Sequence, residues 1–224
     1  MDALVVAMGE ASPEQRIEQI KGKEYAIKDF LGHLPLAGFY PTLTELQNPK
    51  VHNGDLISED RSVKNKFYHI VLYLSPADYH RIHSPVSWSV MKTTHFSGKL
   101  HSVAIPVVQK IDNLFAINER IVVEGSYMHG FFSLTAVGAR NVGSINLSFD
   151  PSIKTNQFWT NINAIVEKKH GNKLTGLPMR RGEELGHFNF GSTVVLLFEA
   201  PSSFKWSVSE GEKVKLGQKL GDFK

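Results

Sequence analysis

A small pair, Gly191-Ser192, pinned between two β-type segments most limits what this chain can be. The surrounding stretch, Arg181 to Glu199, reads RGEELGHFNFGSTVVLLFE. The apolar run Val194 to Phe198 predicts a buried strand. Before the pair, Glu184 to Phe190 alternates polar and aromatic residues. Gly191 has no Cβ, so its carbonyl can be approached closely and its backbone can take strained angles. Ser192 Oγ follows directly on that carbonyl. Attack by this oxygen would turn the Gly191–Ser192 amide into an ester, which elimination can break. The plain alternative is that Gly191-Ser192-Thr193 is a turn between two strands, and a tripeptide alone does not separate the readings.

The rest of the composition narrows the field. The 224 residues are 42% hydrophobic, enough for one domain with a sizeable core or two small ones. A net charge of +3 without long Lys/Arg runs does not read as a nucleic-acid binder. It is compatible with an anionic substrate or membrane surface. There is no cysteine, so disulfides, thiolate catalysis and Cys-based metal sites are excluded. No apolar run approaches the roughly 18 residues of a membrane helix. The opening MDALVVAM is too short for a signal peptide and lacks a basic n-region.

Along the chain, Leu4 to Met8 reads as a strand ending at Gly9. Arg16 to Ile20 and Glu24 to Ile27 flank Lys21-Gly22-Lys23 as a hairpin. Asp29 to Leu31 is at most a helical turn, ended by Gly32. Pro35 to Asn65 reads as a long connection, and Phe67 to Leu74 as a central strand. Trp88 to Phe96, Ile121 to Glu124 and Ser144 to Phe149 read as strands, and Val107 to Phe115 has helical spacing. A β-turn is expected at Gly98, a surface loop over Asp150 to Thr175, and a solvated turn at Arg180-Arg181. Gly211 to Gly221 echoes Gly182 to Gly186 in a cadence common in lipoyl-type barrels, without a lysine at a hairpin tip. The expected class is α+β, mostly β, with antiparallel sheets or a partly open barrel and a few short helices.

One internal stretch carries candidate chemistry: Ser75-Pro76-Ala77-Asp78-Tyr79-His80-Arg81-Ile82-His83-Ser84-Pro85. Ser75 suits an N-cap, Pro76 the first helical position and Asp78 a capping box, which predicts a helical turn stopped by Pro85. His80 and His83 would then share one face. Three readings are open for the pair. They could ligate a metal, though no third ligand stands at a recognisable spacing. They could be buried and structural. They could be proton-transfer groups, because imidazole changes charge near neutral pH.

These two stretches together resemble the phosphatidylserine decarboxylase proenzymes. GEELGHFNFGSTVVLLFE is similar to that family's LGST-type processing site, with Phe190 in place of the usual Leu. YLSPADYHRIHSP is similar to its most recognisable internal motif. Further matching segments are HFSGKLHSV, His129-Gly130-Phe131-Phe132, Thr135 to Ala139 and Asn141-Val142-Gly143. At the start, Asp2-Ala3, Gly9, Lys21-Gly22 and Phe30-Leu31-Gly32 fall on the family pattern, except that Ala3 stands where the family usually has Gly. If that position needed a positive φ, Ala would cost more than Gly. The resemblance spans Asp2 to Leu220 and is closest to the mitochondrial, eukaryotic branch.

The resemblance implies a single domain over 1–224 that cuts itself after Gly191 into a large β chain, 1–191, and a small α chain, 192–224. It implies that His83, oriented by Asp2, activates Ser192, and that Ser192 becomes a covalent pyruvoyl group. That group would form a Schiff base with phosphatidylserine, and His80 would return a proton after carbon dioxide leaves, giving phosphatidylethanolamine. No metal and no nucleic acid is implied. The implied partners are phosphatidylserine, a membrane surface and the two chains of one precursor, and an oligomer is compatible with this. The implied location is the mitochondrial inner membrane, although the chain shows no targeting or membrane segment. The rival expectations are an uncleaved, non-catalytic β-rich binding module, a pyruvoyl decarboxylase of another amine-bearing substrate, and a metal-dependent hydrolase using the histidine pair.

Overall fold

The computed structural model describes residues 3–12, 14–36, 40–47, 65–140, 142, 144–157, 164–171 and 175–223. Its strands are β1 (Ala3–Glu10), β2 (Arg16–Ile20), β3 (Lys23–Ala26), β4 (Asn65–Tyr73), β5 (Arg81–His83), β6 (Trp88–Phe96), β7 (Arg120–Tyr127) and β8 (Gly130–Val137). They continue with β9 (Ile145–Leu147), β10 (Ile165–Lys169), β11 (Leu177–Met179), β12 (Glu184–Phe188), β13 (Thr193–Pro201), β14 (Lys205–Trp206), β15 (Lys213–Val214) and β16 (Gly221–Asp222). Among the described residues four short helices punctuate them, at Ile27–Leu31, Leu43–Gln47, Ile105–Val108 and Leu114–Ile117. The protein is thus mostly β, with antiparallel sheets and no closed barrel among the described residues.

The apolar run after Ser192 takes the middle of the largest sheet. Nine strands form that sheet, in the order β10-β6-β7-β8-β13-β4-β1-β15, with β11 also paired to β6. β13 is antiparallel to β4 from Thr193 to Pro201 and to β8 from Thr193 to Phe198. A strand paired on both edges and covered on both faces has no polar face to offer, which is why VVLLF reads as an unbroken apolar run. Burying five such side chains contributes roughly 10 kcal/mol. Phe198 also packs against Tyr68, Phe204 and Trp206, so the C-terminal segment closes over this part of the sheet.

A second sheet of three strands, β5-β12-β9, stands apart from the first. Six connections cross between the two, and three of them meet: β4 to β5, β8 to β9, and β12 to β13. Each of these three carries one of the sequence motifs, a consequence of topology that local pattern could not reveal.

Several local readings hold. The β2–β3 hairpin turns at Gly22, whose φ of 80° is free for glycine alone. The helix Ile27–Leu31 stops at Gly32, which is left-handed. Others are corrected. Val107 to Phe115 is not one helix but two single turns separated at Asn113, whose φ is 55°. Gly98 is required by crowding: a Cβ there would lie 2.6 Å from Ile117 O and 2.7 Å from Glu119 N. The loop 150–175 contains β10, an edge strand whose exposed side chains hide the usual strand alternation. The connection 35–65 includes the helix Leu43–Gln47, and 48–64 lies outside the described residues.

Buried His69 gives the fold a pH dependence. It sits on β4 at 1% exposure, and its Nε2 accepts from Glu18 N–H at 3.1 Å, tying the hairpin to the sheet. Burial pushes its imidazole down to about 4. The unfolded chain takes up this proton near pH 6.5, whereas the folded chain resists until about 4. Stability from this group is therefore full above pH 6.5 and is lost as the pH falls toward 4, on the order of 3 kcal/mol. Urea midpoints should fall across that window, and His69→Gln, which keeps an acceptor for Glu18, should flatten the fall. His129 and His170, also lowered by burial, act in the same direction. His33, raised by its hydrogen bond to Glu124, contributes stability that is instead lost as pH rises.

Candidate active site

The Gly191–Ser192 bond lies in the connection from β12 to β13, where the chain passes from the small sheet to the large one. Two other crossings, β4 to β5 and β8 to β9, close around it. Gly191 packs on the β4–β5 crossing so tightly that a Cβ would lie 2.4 Å from Leu74 O and 2.8 Å from Ser75 O. Its φ is not left-handed, so close approach rather than backbone angle makes glycine necessary here. Ser192 O accepts from Leu74 N–H at 2.7 Å. On the β8–β9 side, Ser192 Oγ donates to Val137 O, and Phe190 N–H donates to Val142 O at 2.9 Å. Ser192 is fully buried.

The histidine segment does not form the expected helix. Ser75 to Asp78 is a turn in which Asp78 Oδ2 accepts from Ser75 N–H at 2.7 Å, while Asp78 N–H donates to Ser75 O at 2.9 Å. The capping-box residues close the turn, but the chain then becomes extended. Arg81 to His83 pairs with β12, and Phe188 N–H continues the ladder to His80 O at 3.0 Å. The small sheet's hydrogen bonds compete successfully with a short helix that would have no packed face. The extended form, with period two, separates residues three apart instead of putting them on one face.

The two histidines accordingly have different surroundings. The His80 ring lies 5.8 Å from the Phe190 ring, edge to face, beside the candidate bond. Its Nδ1 is buried and has no hydrogen-bond partner. His83 is held at both nitrogens: Nδ1 to Gly182 O at 2.9 Å and Nε2 to the Tyr79 hydroxyl at 2.9 Å. Its ring also stacks on that of Tyr79. Neither nitrogen of His83 is bonded to Ser192, whose hydroxyl is on Val137. The neighbouring Arg81 is tied to Glu184 by bonds of 2.6 and 2.7 Å, which hold that carboxyl below its usual range.

Asp2 lies outside the described residues. Ala3 opens β1 as ordinary strand, buried and without a positive φ, so the absence of Gly costs nothing there. Leu4 pairs with Tyr73, and Tyr73 pairs with Thr193, so β1 begins at the same end of the sheet as the candidate bond. Arg180 and Arg181 are exposed, as a solvated turn requires. Among the described residues, no group of three or more His, Asp or Glu side chains could hold a metal ion.

Sequence reading missed Val137, Tyr79 and the Gly182 carbonyl. Val137 stands in the family-like segment Thr135 to Ala139, but it acts through its backbone, and backbone acceptors leave no residue-type signal. The small residues of this segment allow close packing: Gly138 N–H donates to Glu119 O at 2.7 Å, and a Cβ on Gly138 would sit 3.0 Å from that oxygen. Fully buried Asn118 holds Gly138 O at 2.9 Å and His101 O at 2.8 Å, fixing the β8–β9 crossing from behind.

The family model described as phosphatidylserine decarboxylase matches residues 1–222. The chain belongs to the phosphatidylserine decarboxylase family. It is similar to the mitochondrial phosphatidylserine decarboxylase proenzyme of Cricetulus griseus, 44% identical over 211 residues, covering 92% of this chain and 50% of that protein. The counterpart from Rattus norvegicus is 41% identical over 225 residues, covering 98% and 53%. Proenzyme 1 of Saccharomyces cerevisiae is 36% identical over 284 residues, covering 98% and 57%. The chain thus spans about half the length of the curated relatives it matches. With membership of the phosphatidylserine decarboxylase family established, the crossing of three connections at Gly191–Ser192 becomes the place to look for its chemistry.

Proposed function

We propose that this chain is the processed part of a phosphatidylserine decarboxylase, cutting itself between Gly191 and Ser192 and then converting phosphatidylserine to phosphatidylethanolamine. The observation that carries this reading is the convergence of three motif-bearing connections on one peptide bond. Cleavage begins when His83 takes the Ser192 proton and Oγ adds to the Gly191 carbonyl carbon. The C–N bond breaks, leaving an ester and a free Ser192 amine. Elimination frees the Gly191 carboxylate and leaves a dehydroalanine, which takes up water and loses ammonia. Asp2 is the carboxylate assigned to stabilise the His83 cation. The products are 1–191 and 192–224, and β13, paired on both edges, keeps the smaller piece in the sheet.

The residues present fit a pyruvoyl group at position 192. The position is buried at the head of the central strand, the Gly191 cradle has no room for a Cβ, and an unpartnered imidazole nitrogen lies nearby. Such a carbonyl accepts the electron pair left when carbon dioxide departs, a task otherwise given to pyridoxal phosphate. His80 is assigned the return of a proton to the substrate α-carbon, a role its uncommitted Nδ1 supports. Phe190 and Tyr79, 43% and 41% exposed, give the site an apolar rim suited to a lipid. This rim supports contact with a bilayer surface; no helix among the described residues is long and apolar enough to cross a membrane. The mitochondrial names of the relatives support a mitochondrial location.

Intact mass under denaturing conditions tests the reading. Two fragments are expected, split at Gly191/Ser192, with the smaller lighter by one ammonia than a serine-started peptide. A single uncut chain would favour the non-catalytic binding module.

A further inference from the structure

Both groups needed for self-cleavage are engaged elsewhere in this uncut chain. Ser192 Oγ gives its proton to Val137 O, and both nitrogens of His83 are occupied. The partners fix the state of the imidazole. Gly182 O can only accept, so Nδ1 carries the hydrogen. In the neutral ring Nε2 is then the lone pair, and the Tyr79 hydroxyl is its donor. Nε2 is thus the only nitrogen that could act as base, and Tyr79 covers it. Parallel stacking of the two rings, 18° between planes and 5.8 Å between centroids, reinforces the contact. Tyr79 is free to leave, because its side chain is 41% exposed.

We propose that Tyr79 is a positioning residue for His83, a latch whose hydroxyl caps the Nε2 lone pair and keeps the base from Ser192 until cleavage begins. The inference rests on the proposed roles of His83 and Ser192. Gly182 supplies the fixed half of the arrangement, keeping Nδ1 protonated whether or not Tyr79 is in place. Tyr79 supplies the movable half. When its hydroxyl swings away, Nε2 is exposed in the tautomer required to accept the Ser192 proton, with no ring flip or proton exchange needed first.

The test has a spectroscopic and a kinetic arm. Imidazole nitrogens are observed by long-range proton–nitrogen correlation in the uncut Ser192→Ala chain, with His83→Gln assigning the resonances. The expected spectrum shows His83 protonated at Nδ1 with Nε2 as an acceptor. Tyr79→Phe in that background should move Nε2 to the position of an unbonded lone pair and leave Nδ1 protonated, while the other histidines report an unchanged fold. In the Ser192 chain, made in a cell-free system and sampled over time, Tyr79→Phe should cleave about five-fold faster, the bias one neutral hydrogen bond can hold. Protonation at Nε2, an Nε2 resonance indifferent to Tyr79→Phe, or cleavage no faster than the parent would overturn the latch. If the parent never cleaves, the proposed function fails instead, and the nitrogen resonances alone decide whether Tyr79 caps His83.

Discussion

Ser192→Ala is expected to give one uncut, folded chain with no decarboxylase activity. The loss is chemical, because the fold uses little of this hydroxyl. Ser192 Oγ makes a single bond, to Val137 O, and a neutral hydrogen bond contributes about 1 kcal/mol net. The ladder bond from Leu74 N–H to Ser192 O is made by the backbone and survives. The methyl of alanine fits where the serine side chain is buried. Without Oγ, nothing at position 192 can add to the Gly191 carbonyl, so neither fragment forms and no pyruvoyl arises. Intact mass should show the full chain, and carbon dioxide release from phosphatidylserine vesicles should be at background. A Ser192→Ala chain that still decarboxylates would sink the mechanism.

His80→Ala is expected to separate the two stages, cutting itself within several-fold of the parent rate but decarboxylating about 10²- to 10⁴-fold more slowly. The structure explains why cleavage should survive. The His80 side chain makes no hydrogen bond through Nδ1, and its ring touches Phe190 by an edge-to-face contact. Its structural contribution is the backbone carbonyl that accepts from Phe188 N–H, which alanine retains. Removing the ring therefore leaves the β5–β12 ladder and the Gly191 cradle in place. What disappears is the uncommitted imidazole beside the bond, the group assigned to deliver the proton. Fragment yield and carbon dioxide release, measured on the same preparation, decide the point. Loss of both together would show that His80 serves cleavage as well.

Much of the β framework was legible because it rests on short-range chemistry. VVLLF can only be a doubly covered strand, Gly22 and Gly32 end their elements by accepting left-handed angles, and KFYHIVLYL repeats the central-strand pattern. The helix read at Ser75 was wrong for an instructive reason. The Ser-Pro-Ala-Asp signal is real and closes a turn, but local capping of a single turn is worth less than the strand ladder that β12 offers Arg81 to His83. The single helix read over 107–115 failed because Asn113 is left-handed. β10 was invisible because an exposed edge strand has no apolar face to write into the sequence.

The sequence by itself determined which residues are the candidates for the proposed chemistry: Gly191, Ser192, His80 and His83 stand in motifs whose residue types and order single them out. Only the tertiary structure decided how those residues are disposed. It brought three crossings between two sheets to one peptide bond, made Gly191 necessary through the carbonyls of Leu74 and Ser75, and left Ser192 on Val137 and His83 between Tyr79 and Gly182. Those contacts are made largely by backbone atoms and by residues distant in the chain. Every residue has the same backbone carbonyl, so its role is set by where the fold places it.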